Sequence, residues 1–146
     1  MEYIEIHEQN VECLQSIVEV FRHQQIDEEK ALAFIQHPAT ITYVCIDQGK
    51  AVGYCLAYRL PRMDNGSDIL QIYHLFVLES YRRQGIARKL VTHMLEYAKQ
   101  EQLHYVFLLT GTSFTPARKL YESLGGYNHP EFKETYYWYI TGQPQP

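Results

Sequence analysis

Apolar and polar positions alternate along Tyr3 to His7, the rhythm of a strand with one wet face. The period then lengthens. Leu14, Ile17, Val18 and Phe21 recur at helical spacing, and a second helical stretch carries Ala31, Phe34 and Ile35 before Pro38 closes it. Thr40 to Ile46 is rich in Thr, Ile, Val and Tyr, Asp47-Gln48-Gly49 supplies a turn, and Ala51 to Leu60 resumes as a strand, so the pair reads as a hairpin. Pro61 to Ser67, with Asn65-Gly66 inside it, reads as a loop.

Ile69 to Val77 is a nearly unbroken apolar run, the pattern of a central strand covered on both faces. After the polar segment Leu78 to Gln84, the residues Ala87, Leu90, Val91, Met94, Leu95 and Ala98 predict a long amphipathic helix. Tyr105 to Leu109 is another strand. Thr115-Pro116 reads as an N-cap with proline at the first helical position, and Gly125-Gly126 ends that helix. Thr135 to Ile140 is a final aromatic strand. No repeat or low-complexity tract interrupts the series, so residues 1–142 are expected to form one domain, with 143–146 as a loose tail.

At 146 residues, 46% hydrophobic and 21% charged, the chain is long enough to bury a core without cross-links. A formal net charge of -4 argues against sequence-independent nucleic-acid binding, which needs clustered Lys and Arg, and would welcome a cationic small substrate. There are three cysteines, and Cys45 and Cys55 lie inside apolar runs, so buried thiols in a reducing compartment are expected rather than a disulfide framework. Met1-Glu2-Tyr3-Ile4-Glu5 has neither a basic end nor a long apolar stretch, and nowhere do about eighteen apolar residues run together. The expectation is a soluble, cytoplasmic protein with no membrane partner. The seven histidines show no zinc-ligand spacing with cysteine, so no metal is expected.

Arg82-Arg83-Gln84-Gly85-Ile86-Ala87 stands where the strand from Ile69 passes into the long helix. A helix start exposes unpaired N–H groups and a positive dipole end, and Gly85 and Ala87 are small enough for phosphate oxygens to approach. Arg82, Arg83 and Arg88 add countercharge. Gly-x-Gly-x-x-Gly is absent, and no Gly-Lys-Ser/Thr completes a nucleotide-triphosphate loop. Taken alone, the segment reads equally well as a solvated turn that Gly85 relaxes.

Val77-x-x-x-Tyr81-Arg82-Arg83-Gln84-Gly85-Ile86-Ala87 resembles the acetyl-CoA signature of the GNAT superfamily, Gln/Arg-x-x-Gly-x-Gly/Ala following a strand. Ala117-Arg118-Lys119-Leu120-Tyr121-Glu122-Ser123-Leu124-Gly125 resembles that family's later motif, and the order of elements is similar over nearly the whole chain. Within the family, Ala51-Val52-Gly53, Ala57-Tyr58-Arg59-Leu60-Pro61 and Ile72-Tyr73-His74-Leu75-Phe76-Val77 are most similar to aminoglycoside 3-N-acetyltransferases. The resemblance implies an α/β (α+β) fold: a mixed, mostly antiparallel central sheet of six to seven strands, about four flanking helices, and a splayed strand pair holding acetyl-CoA.

It also implies roles. The pantetheine arm would pair with the backbone of Leu75, Phe76 and Val77, with an N–H near Val77 stabilising a tetrahedral oxyanion. The diphosphate would sit on amides of Arg83, Gln84, Gly85, Ile86, Ala87 and Arg88, beside Arg82. Tyr121 matches the family's general acid, and coenzyme A would be the product. By spacing alone, however, Ala117, Leu120, Tyr121 and Leu124 share one helical face, which suits a core tyrosine. His74 stands where related aminoglycoside and polyamine enzymes often have an acid, and a neutral imidazole suits a base. An ordinary hydrogen-bonded core histidine is the other reading, and Asp68, Gln71, Tyr73 and Glu79 are rivals for the role.

Three positions depart from the pattern: Phe114 stands for the usual Asn, Gly126 for the usual Phe, and His74 for the acid. Cationic antibiotics call for several carboxylates, and Asp27, Glu28, Glu29, Asp64 and Asp68 are the candidates. The expected activity is acetyl transfer from acetyl-CoA to a primary amine of a small molecule, with a peptide or protein amine, or a non-catalytic acyl-CoA sensor, as alternatives. A homodimer is common in families of this type.

Overall fold

The structure, a computed structural model, describes residues 1–64, 66–128 and 136. Contacts group the chain into two compact units, Met1–Thr112 and Ser113–Pro146. The first holds one sheet in the order β1-β2-β3-β4-β5, formed by Glu2–Glu5, Thr40–Asp47, Lys50–Leu60, Ile69–Val77 and Val106–Leu108. Every neighbouring pair is antiparallel except β4 and β5, which run parallel.

Helices cover both faces of this sheet. On one side α1 (Val11–Arg22) and α2 (Glu28–Gln36) enclose Ile6, Leu14, Ile17, Ala31, Val44, Tyr54 and Leu56. On the other, α3 (Ile86–Gln100) turns Ile86, Leu90, Val91, Met94 and Ala98 inward, as its period of apolar residues predicts, and packs on β2, β3 and β4. Burying a side chain such as Leu90 or Met94 stabilises the fold by about 1.5–3 kcal/mol. β3 is the most enclosed strand, buried from Ala51 to Ala57, because both layers press on it.

Local chemistry sets the element ends. Asp27 caps α2 by accepting the Lys30 N–H at 2.8 Å, and Pro38 stops the same helix just past His37. β1 ends at Glu5 rather than at His7 because Asn10 captures that stretch: its side chain accepts the His7 N–H and donates to the Glu5 carbonyl. In the second unit α4 (Thr115–Ser123) starts one residue earlier than the sequence predicts. The Arg118 N–H bonds the Phe114 carbonyl, so Phe114 is the capping position and Pro116 the second helical residue. The helix closes with paired bonds from Gly126 to Tyr121 and from Gly125 to Glu122, with Gly125 at φ 89.

The sheet has five strands among the described residues, not the six to seven expected. The sixth strand read from the sequence, Thr135 to Ile140, lies outside them except for Tyr136, as does the tail 143–146. The four α-helices among the described residues match the expected number.

Candidate active site

β3 and β4 keep register from Gly53 opposite Val77 to Leu56 opposite His74, then slip, and resume at Ala57 opposite Ile72. Tyr73 is the residue left over, which puts a bulge in β4. On its other edge β4 pairs with β5 through Leu70, Gln71 and Ile72. That pairing stops one residue before the bulge, and among the described residues no strand follows β4 along Tyr73 to Val77 on that side. The two strands part there.

The bulge also decides which backbone groups face the opening. Leu78 donates its N–H to the Val52 carbonyl at 2.9 Å, and the Phe76 carbonyl lies against Gly53, both toward β3. Alternation along the strand therefore turns the backbones of Leu75 and Val77 to the open edge and that of Phe76 away from it. The Val77 carbonyl accepts a bond from Arg82 Nε at 3.3 Å, tying the strand end to the turn that follows.

That turn has the features of an anion cradle. Arg83 and Gly85 both have left-handed backbones, φ 62 and φ 80, and such neighbouring residues gather N–H groups into a concavity. Gly85 is the N-cap of α3 and no side chain caps it, so the first amides of the helix lack an intrahelical partner. A Cβ at Gly85 would meet no atom within 4 Å, so the space beside the turn is open. Arg82, Arg83, Gln84 and Arg88 are exposed around it, while Ile86 is 2% exposed and anchors the helix start against β3. A diphosphate fits this donor set.

On the sheet face that carries α1, His74 and Phe76 point with Tyr54 and Leu56 of β3. Nδ1 of His74 lies 3.1 Å from the Tyr54 hydroxyl. Tyr73 stacks on the His74 ring at 4.5 Å, and Phe76 meets it nearly edge-on at 5.3 Å. Burial, and then the positive charge of Arg22, lower the His74 pKa below 6.5, so the ring is neutral at pH 7. Burial pushes the Tyr54 phenol up to about 12, keeping its proton in place. Tyr54, 3% exposed, is a site residue the sequence reading missed, since the bulge that sets its register opposite β4 has no sequence signature.

The rivals of His74 have other partners or places. Asp68 accepts from Arg59 Nε at 2.6 Å, and the same guanidinium also reaches Tyr97 and Glu101. Gln71 sits where β4 is paired on both edges, and Glu79 opens a single 3-10 turn beyond the strand. Tyr73 joins the ring cluster instead. Leu75, Val77, the Arg82–Arg88 turn and His74 all belong to the first unit, whereas Tyr121 lies half-buried in α4 of the second.

An Acetyltransferase (GNAT) family model matches residues 5–126. The chain belongs to that family. Members of the GNAT family use acetyl-CoA, which accords with a cradle for a diphosphate beside a parted strand. N-acetyltransferase 8 of Homo sapiens is 33% identical over 93 residues, 64% of this chain and 41% of that protein. N-acetylaspartate synthetase of Xenopus tropicalis is 32% identical over 94 residues, 63% of this chain and 32% of that protein. This GNAT chain thus spans less than half the length of these curated relatives. In fold it is similar to an aminoglycoside acetyltransferase from an uncultured soil metagenomic sample, with a TM-score of 0.77 at 20% identity, covering 97% of this chain and 96% of that one. None of the described helices is long and apolar enough to cross a membrane.

Proposed function

We propose that this chain is an N-acetyltransferase that moves the acetyl group of acetyl-CoA to a primary amine of a small molecule, and that residues 1–142 act as one domain. The observation that carries this reading is the continuity of two binding elements: the open edge of β4 runs directly into the left-handed turn and uncapped start of α3, joined by the Arg82–Val77 bond. The extent of the family match, residues 5–126, supports the single domain.

Amides of Arg83, Gln84, Gly85, Ile86, Ala87 and Arg88 hold the diphosphate in this reading, and Arg82, Arg83 and Arg88 balance its charge. Leu75 and Val77 offer backbone groups to the pantetheine, and the Val77 N–H is a donor for a developing oxyanion. Bound acetyl-CoA supplies an activated acyl thioester. His74 takes the proton of the incoming ammonium at Nε2 while Tyr54 engages Nδ1. Tyr121 returns a proton to the thiolate, a role open to a phenol, whose hydroxyl is both donor and acceptor.

An aminoglycoside acceptor, including one modified at a 3-N position, rests on the sequence resemblance and the fold neighbour. The carboxylates that such a polycation needs are only partly available. Asp68 and Asp64 pair with Arg59 and Arg62, each at 2.6 Å, and Asp27 caps α2. The relative named for N-acetylaspartate synthesis favours a smaller amine that itself carries acid groups.

Thiol release from acetyl-CoA across a panel of amines tests the proposal. Amine-dependent release is expected, with Tyr121→Phe lowering kcat by about a hundredfold. Coenzyme A binding without release on any amine would instead mark a non-catalytic sensor. Absence of any thermal stabilisation by coenzyme A would remove the cofactor reading altogether.

A further inference from the structure

We infer that Arg22 recognises the acceptor, and that the amine acetylated at this site carries a carboxylate. The inference rests on the reading above that the face of His74 is the acceptor side. Phe21, in the last turn of α1, packs edge-on against Tyr54 with ring centroids 5.0 Å apart, and Tyr54 in turn holds His74. The end of α1 therefore lies against Tyr54, the partner of His74. Arg22 is the last residue of that helix, and the chain leaves through His23 at φ 54.

Arg22 is exposed, and among the described residues its side chain enters no ion pair or hydrogen bond. Arg59 and Arg62 of the same unit, by contrast, are committed to carboxylates. The charge of Arg22 reaches both site groups: it adds to burial in lowering the His74 pKa and opposes burial at Tyr54. Among the described residues, the rings that contact His74 are uncharged: Tyr73 and Phe76 of β4 and Tyr54 of β3, with Tyr58 of β3 behind Tyr73.

A polycation entering this face would meet a like charge. A carboxylate would meet a guanidinium, whose planar fork suits bidentate bonding. Tyr73 and Phe76, 54% and 47% exposed, offer ring surface to the carbon skeleton between the two ends of such a molecule. The chemical class is an amino acid or a small conjugate of one, with a primary amine for acetylation and a carboxylate for Arg22. Arg22 also suits the carbonyl end of α1. That structural role predicts a change in thermal stability alone and no dependence on the acceptor.

The test compares an α-amino acid with its primary amide, which keeps the skeleton and neutralises the carboxylate. Wild type, Arg22→Ala, Arg22→Lys and Arg22→Glu are each measured by thiol release and by calorimetric binding of the two amines to enzyme loaded with coenzyme A. Arg22→Ala is expected to raise KM and Kd for the amino acid on the order of tenfold and to change those for the amide far less, while the rise in the His74 pKa that follows loss of the Arg22 charge shifts the pH profile of both amines alike. Arg22→Lys restores part of the preference, and Arg22→Glu reverses it. Equal effects on KM and Kd for both amines, or none on either, overturn the assignment of Arg22. If no amine is turned over yet Arg22→Ala still selectively weakens amino-acid binding, the transfer reading fails while the assignment of Arg22 as the group that binds the ligand's carboxylate stands.

Discussion

The Tyr54 hydroxyl and Nδ1 of His74 lie 3.1 Å apart although 20 positions separate the two residues in the chain. A neutral imidazole donates at one nitrogen and accepts at the other, so a partner fixed at Nδ1 decides what Nε2 can do. Tyr54→Phe keeps the ring that packs on Phe21 and removes that partner. It is expected to cost about 1 kcal/mol of stability and to lower kcat by about tenfold, with coenzyme A affinity unchanged. Nitrogen NMR of His74 checks the cause: the two ring signals should shift between the wild type and the variant.

His74 gives a pH signature with a definite sign. Its folded pKa lies below 6.5, so the acid limb of kcat/KM should fall below pH 6.5, and His74→Ala should remove that limb. For stability, the unfolded chain binds more protons between the folded pKa and 6.5. The fold therefore loses stability as pH drops from 6.5 toward the folded value and regains it above. Urea titrations of wild type and His74→Gln across that window should diverge on the acid side only.

Gly85→Ala separates backbone strain from ligand space. At φ 80 an alanine is strained by about 1–2 kcal/mol, while its Cβ would meet no protein atom within 4 Å. Modest destabilisation with at least about a tenfold weaker coenzyme A affinity is expected, measured by thermal melts and calorimetry. A normal affinity would mean that the diphosphate sits elsewhere.

Gly53→Ala addresses the packing that seats α3. A Cβ there would lie 3.0 Å from Ile86 Cγ2 and 3.2 Å from the Phe76 carbonyl oxygen, so helix and strand would have to separate. Destabilisation of about 1–3 kcal/mol is expected by chemical denaturation, with weaker coenzyme A binding because the helix mouth shifts with Ile86.

The sequence by itself determined most of the described elements. Apolar spacing fixed α1 and α3, and the apolar run of β4 matched its observed bounds, because periodicity reports which faces must leave water. Gly85 and the arginines before α3 offered an anion cradle as one of two readings, since a helix mouth is a local feature and its donors come from consecutive residues. Tertiary structure alone decided the face proposed as the acceptor side. Tyr54 met His74, and the end of α1 came to pack on Tyr54 through Phe21, only after β3 and β4 paired with a bulge at Tyr73 and α1 closed over the sheet. Register between strands depends on contacts summed over a whole sheet, so no short stretch of sequence encodes it.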